Sequence, residues 1–86
     1  MTKREEMAMV NEDALVMDEY EDALIGYIER FQDPPIALYD RDKLFSIMME
    51  RDGMTLDEAY EWYNYNILGS ILEGAPAFAV FFGGKA

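Results

Sequence analysis

The sequence predicts an α+β fold, a compact domain over residues 18–86 in the order β-β-α-α-β, preceded by an acidic N-terminal arm over residues 1–17. A mainly α arrangement is the alternative. Three observations carry the prediction. A helix, tight turn, helix signature begins at Asp40 and is flanked by runs rich in β-formers, Ala23 to Phe31 and Ala77 to Phe82. Hydrophobic residues make up 51% of the chain and aromatic ones 14%, too much apolar surface for a chain disordered throughout. At 86 residues there is room for one core only.

In the arm, Met7, Val10, Ala14 and Met17 recur at helical spacing, which turns Glu5, Glu6, Glu12, Asp13 and Glu19 largely elsewhere around a helix. Self-repulsion of so many like charges makes a frayed tail over residues 1–12 an equal reading. The next segment resists assignment by periodicity. Leu24, Tyr27, Ile28 and Phe31 form a helical ridge, while the short length and the β-formers suit a buried strand. Asp33-Pro34-Pro35 is the one rigid break, and Ile36 to Tyr39 then reads as a short strand that stops at Asp40.

From Asp40 the local signals sharpen. Its carboxylate can accept from the free amides of a helix running to Met49, and Gly53 suits the C′ position where φ turns positive, with Met54 folding back on Met49. Thr55-Leu56-Asp57-Glu58 is a capping box that starts a second helix at once. On that helix Leu56, Ala59, Tyr60, Tyr63 and Ile67 make a core-facing stripe. Tyr65, Leu68 and Leu72 point roughly opposite, with Trp62 between, so the C-terminal half is apolar almost all round. Gly74 and Pro76 end the helix, and Ala77 to Phe82 reads as a strand that should sit centrally or pair with another chain.

The stretch Glu50-Arg51-Asp52-Gly53-Met54-Thr55, followed by Glu58-Ala59, Glu61-Trp62-Tyr63, Asn66 and Gly69, resembles a group of small, uncharacterised acidic proteins of phages and bacteria. Asp22 to Gly26 and Ile36 to Asp40 share the likeness, which covers roughly residues 20–82. The resemblance implies a phage or bacterial cytoplasmic setting and a strand over residues 23–31; it implies no reaction and no ligand. The chain departs from the group at Ile71-Leu72 and in its extended Phe81-Phe82 end.

Catalytic readings fail for want of parts. With no histidine or cysteine there is no base for a nucleophilic triad, no disulfide and no zinc site of the usual kind. Gly83-Gly84 opens no helix as a phosphate loop would, and neither Asp18 to Asp22 nor Asp40-Arg41-Asp42 has the spacing of a calcium loop. No enzyme activity and no cofactor are expected. Glu5 and Glu6 stand where an export signal would need apolar residues, and Glu73, Pro76 and four glycines interrupt Ile67 to Gly84, so a cytoplasmic, non-membrane protein is expected.

The net charge of −11 is concentrated: nine acids and no base lie between Glu5 and Glu29, while the remainder holds nine acids against seven bases. Such a field repels nucleic acid but suits the basic groove of a protein that binds it. The expected partner is therefore a basic host protein, met through Glu12, Asp13, Asp18, Glu19, Glu21, Asp22 and Glu29, in the manner of a phage inhibitor that mimics DNA. The alternative is a homo-oligomer, a dimer first, joined through Trp62, Tyr65, Leu68, Leu72, Phe78 and Phe81, its acids serving only solubility.

Overall fold

The computed structural model describes residues 1–68 and 74–84. It is an α+β domain in which, among the described residues, three helices and three short helical turns accompany a three-stranded sheet. The elements are α1 (Lys3–Val10), a 3-10 turn (Asp18–Ala23), β1 (Leu24–Arg30), β2 (Asp33–Asp40), α2 (Arg41–Asp52), α3 (Leu56–Tyr63), a π-helical turn (Asn64–Leu68), β3 (Ala77–Ala79) and a second 3-10 turn (Phe82–Gly84). After the arm the order is thus β-β-α-α-β. Of residues 23–31, undecided by periodicity, Leu24–Arg30 fold as β1, while Ala23 ends the 3-10 turn and Phe31 lies in the turn that follows.

Thr2 and Glu5 close a capping box around the start of α1, each side chain accepting the other's backbone N–H at 3.1 and 2.8 Å. The helix stops at Val10, short of the stripe through Met17. Asn11 stops it: its Oδ1 accepts from the Asp13 N–H at 3.1 Å and its Nδ2 donates to the Pro35 carbonyl at 2.9 Å, offering the backbone an alternative to another turn. Met7 alone on α1 is buried, while Ala14 and Met17 reach the core from the segment that follows.

β1 and β2 form an antiparallel hairpin whose turn places Gln32 at φ +64°. β2 starts earlier than the proline break suggests, running through Pro34 and Pro35. Ile28 pairs with Ile36 but Arg30 with Asp33, so β2 spends an extra residue there, in a bulge. β3 pairs only with Leu38 to Asp40, so the prolines' missing donors fall where no described strand lies on β2's other side. β3 itself is parallel to β2 and at the edge, not central. Three residues of exposed edge are short enough to be harmless.

The helix, turn, helix unit forms as the local signals require. Asp40 Oδ1 accepts from the Asp42 and Lys43 amides at 3.0 and 3.3 Å, Gly53 adopts φ +69°, and the Met54 N–H returns to the Met48 carbonyl at 3.3 Å. Thr55 and Glu58 exchange the second capping box at 3.2 and 2.8 Å. Of the expected stripe on α3, Ala59 and Tyr63 are buried and Ile67 packs on the core, whereas Leu56 is half exposed and Tyr60 lies at the boundary.

The core joins Ala37 and Tyr39 of β2 to Leu44, Phe45 and Met48 of α2 and to Tyr63 of α3. Ring packing ties these layers: Phe45 meets Tyr63 edge-on at 5.3 Å, Tyr63 meets Phe78 at 5.2 Å, and Phe78 stacks on Tyr39 at 5.9 Å. No helix among the described residues is long and apolar enough to cross a membrane.

Candidate functional site: an acidic segment beside an aromatic groove

The arm's acidic segment is fastened at its backbone and open at its carboxylates. The Met17 N–H donates to the Tyr39 hydroxyl at 2.7 Å and the Leu15 N–H to the Gly74 carbonyl at 3.1 Å. From α1, Lys3 Nζ reaches the Asp22 carbonyl at 3.4 Å. From the end of α2, Arg51 Nη1 donates to the Glu19 carbonyl while its guanidinium lies 5.0 Å from the Tyr20 ring. Both bases thus engage main-chain oxygens of the 3-10 turn and leave the side chains of Glu19 and Asp22 to solvent.

Among the described residues, only Asp18 of the nine acids from Glu5 to Glu29 is in an ion pair, with Arg4 at 3.0 Å. Glu12, Asp13, Asp18, Glu19, Asp22 and Glu29 are exposed and Glu21 is half-buried. They occupy adjoining elements instead of converging. Glu29 sits five residues along β1 from Leu24, about 17 Å at the rise of a strand. This is an extended array, suited to a long charged surface and unsuited to holding one small ion. Among the described residues no group of three acids is arranged to hold a metal.

Next to the acidic segment lies an aromatic groove. Tyr20 meets Trp62 edge-on at 6.3 Å, and Trp62 forms one wall of a cleft of about 370 Å³ along α3, with Met54, Glu58, Glu61, Tyr65 and Asn66. The π-helical turn that follows Tyr63 accommodates Asn66, whose Nδ2 donates to the Trp62 carbonyl at 3.1 Å. Glu58 is fixed by its capping box, and the hydrogen bonds from the Thr55 backbone and side chain hold its carboxyl below the usual glutamate range. The acids Glu58 and Glu61 were absent from both expected residue sets. Their i, i+3 spacing, repeated by Trp62 and Tyr65 one helical turn further along, is the readable signal.

The expected self-association residues separate. Tyr65 is 83% exposed and Leu68 55% exposed, while Trp62 is half-buried against Tyr20. Phe78 is partly buried and packs between Tyr39 and Tyr63, against the core. Phe81 is partly covered, and Leu72 lies outside the described residues. A second cleft, of about 480 Å³, runs between α1 and β1 with Lys3, Met7 and Tyr27 among its walls; it has little of the acidic character of the first.

No protein-family model matches this chain, and no curated protein or solved structure matches it either.

Proposed function

We propose that this chain is a non-catalytic, cytoplasmic binding protein whose acidic segment, Glu12 to Glu29, docks on a basic surface of a host protein that binds nucleic acid, as a phage-type inhibitor would. One observation carries the reading: among the described residues, eight of the nine acids from Glu5 to Glu29 have no ion-pair partner, while two bases hold the segment by main-chain oxygens. A surface that only needed solubility would intersperse both signs. Docking of unpaired carboxylates on a basic groove gains from long-range steering and weakens steeply with salt.

The test is affinity capture from a bacterial lysate at two salt concentrations, with and without nuclease. A basic protein retained at low salt, released at high salt and indifferent to nuclease is the expected result. If Glu19→Gln, Glu21→Gln and Asp22→Asn together left capture unchanged, the reading would fail.

A second reading is favoured by the apolar exposure of Tyr65, Leu68 and Val80 and of Phe82, which is fully exposed. These residues suit a self-associating module. Gel filtration with light scattering separates the two, since a strict monomer at high concentration removes the second.

A further inference from the structure

The protein seats its own arginines at the two ends of α2 in one manner. The Arg41 guanidinium lies 5.3 Å from the Phe45 ring centre and 5.2 Å from that of Tyr60, with Asp42 at 3.9 Å. Arg51 lies 5.0 Å from Tyr20, with Asp52 at 3.1 Å. Each cation takes an aromatic face together with a carboxylate.

The groove along α3 offers that combination a third time. Trp62 and Tyr65 supply rings, Met54 an apolar wall, and Glu58 and Glu61 two carboxylates; among the described residues its lining contains neither lysine nor arginine. One oxygen of Glu58 accepts from the Thr55 amide, which fixes the side chain at the groove and engages only one of its two oxygens. We propose that this groove is the seat of an arginine side chain presented by a basic segment of the partner. The inference rests on the docking function above and adds the contact that gives it specificity. A planar guanidinium can stack on a ring and bond two carboxylates at once, whereas a lysine ammonium is a point charge with a stronger hydration shell. A second copy of the chain is the poorer occupant, because a two-fold contact over this groove would bring Glu58 and Glu61 of both copies together.

Trp62 is the chain's one tryptophan, so its emission reports on the groove directly. The full chain is titrated with a glycine-flanked tetra-arginine peptide and with its lysine counterpart, by fluorescence and by calorimetry. The expected result is a saturable change in Trp62 emission, tighter for arginine, and weakened at least about fivefold by Glu58→Gln with Glu61→Gln. Glutamine can serve in a capping box, so that variant keeps its fold, which circular dichroism checks. Calorimetric binding without a change in emission, or equal affinity in the double variant, overturns the inference; so does a complete lack of binding at low salt. A concentration-dependent dimer abolished by Tyr65→Ala assigns the groove to a second copy and also overturns it. The failures are distinguishable. Capture lost in the Glu19, Glu21, Asp22 variant but intact in the Glu58, Glu61 variant leaves docking standing without this seat. The opposite pattern keeps the seat and removes the acidic segment as the docking surface.

Discussion

Replacing Tyr39 by phenylalanine should release the acidic segment while sparing the core. Tyr39 is fully buried, its ring stacks on Phe78, and its hydroxyl accepts the Met17 N–H at 2.7 Å. Phenylalanine keeps the ring, so the apolar contribution is largely retained. What is lost is the partner of a part-buried amide, and an unsatisfied buried donor costs about 1 to 3 kcal/mol. Water can reach Met17 in part, which places the expected loss at about 1 to 1.5 kcal/mol, or roughly 4 to 12 °C in melting temperature for a domain of this size. Urea denaturation measures the loss, and native-state hydrogen exchange locates it: the Met17 amide should exchange faster than the amides of α2. An unchanged midpoint, or a loss spread evenly over the whole domain, would refute the reasoning. The same hydroxyl links stability to pH. Burial first, with Asp18 and Glu21 adding, raises its pKa above the ordinary 10.0, against the opposing effect of the Met17 N–H. The folded state holds this proton more tightly than the unfolded chain. Its contribution is therefore whole below pH 10 and is lost as pH rises through the folded value. Tyr39→Phe should flatten the alkaline fall in melting temperature only in part, since burial raises Tyr20 and Tyr63 in the same direction.

Two further outcomes follow from local geometry. Gly74→Ala should destabilise by roughly 1 to 2 kcal/mol, because Gly74 sits at φ +79° and an added Cβ would stand 3.2 Å from the Asp13 carbonyl oxygen; a urea midpoint equal to the parent's would contradict this. Thr55→Ala should cost about 1 kcal/mol by thermal melting, the usual loss for an N-cap, and should raise the Glu58 titration midpoint seen by carboxyl NMR only part of the way toward the ordinary 4.5, because alanine keeps the backbone N–H that is the larger cause of the depression.

What the residues foretold divides by range. Asp40, Gly53 and the Thr55-Glu58 box each act within one turn of backbone, so their roles were readable from neighbours in sequence and stand in the fold as read. The ridge of Leu24, Tyr27, Ile28 and Phe31 was ambiguous because a seven-residue strand on a sheet edge needs no strict alternation; both faces of β1 are largely exposed. The bulge at Pro34-Pro35 and the edge position of β3 depend on pairing between distant segments, to which no local pattern speaks. The contacts of Phe78 with Tyr39 and Tyr63 join segments far apart in sequence, so no local pattern shows them either. The acidic segment was legible as charge alone. Its fastening by Arg51 and Tyr39 was not, because both contacts span more than twenty residues.

The bond from the Leu15 amide to the Gly74 carbonyl closes a long loop of chain upon itself. Closing such a loop costs chain entropy that rises only slowly with the length enclosed, so a distant carbonyl can hold the acidic segment at little more cost than a near one. With the Tyr39 hydroxyl and Arg51 it ties one stretch of backbone to three separate parts of the chain, so that freeing any one of them leaves the others in place.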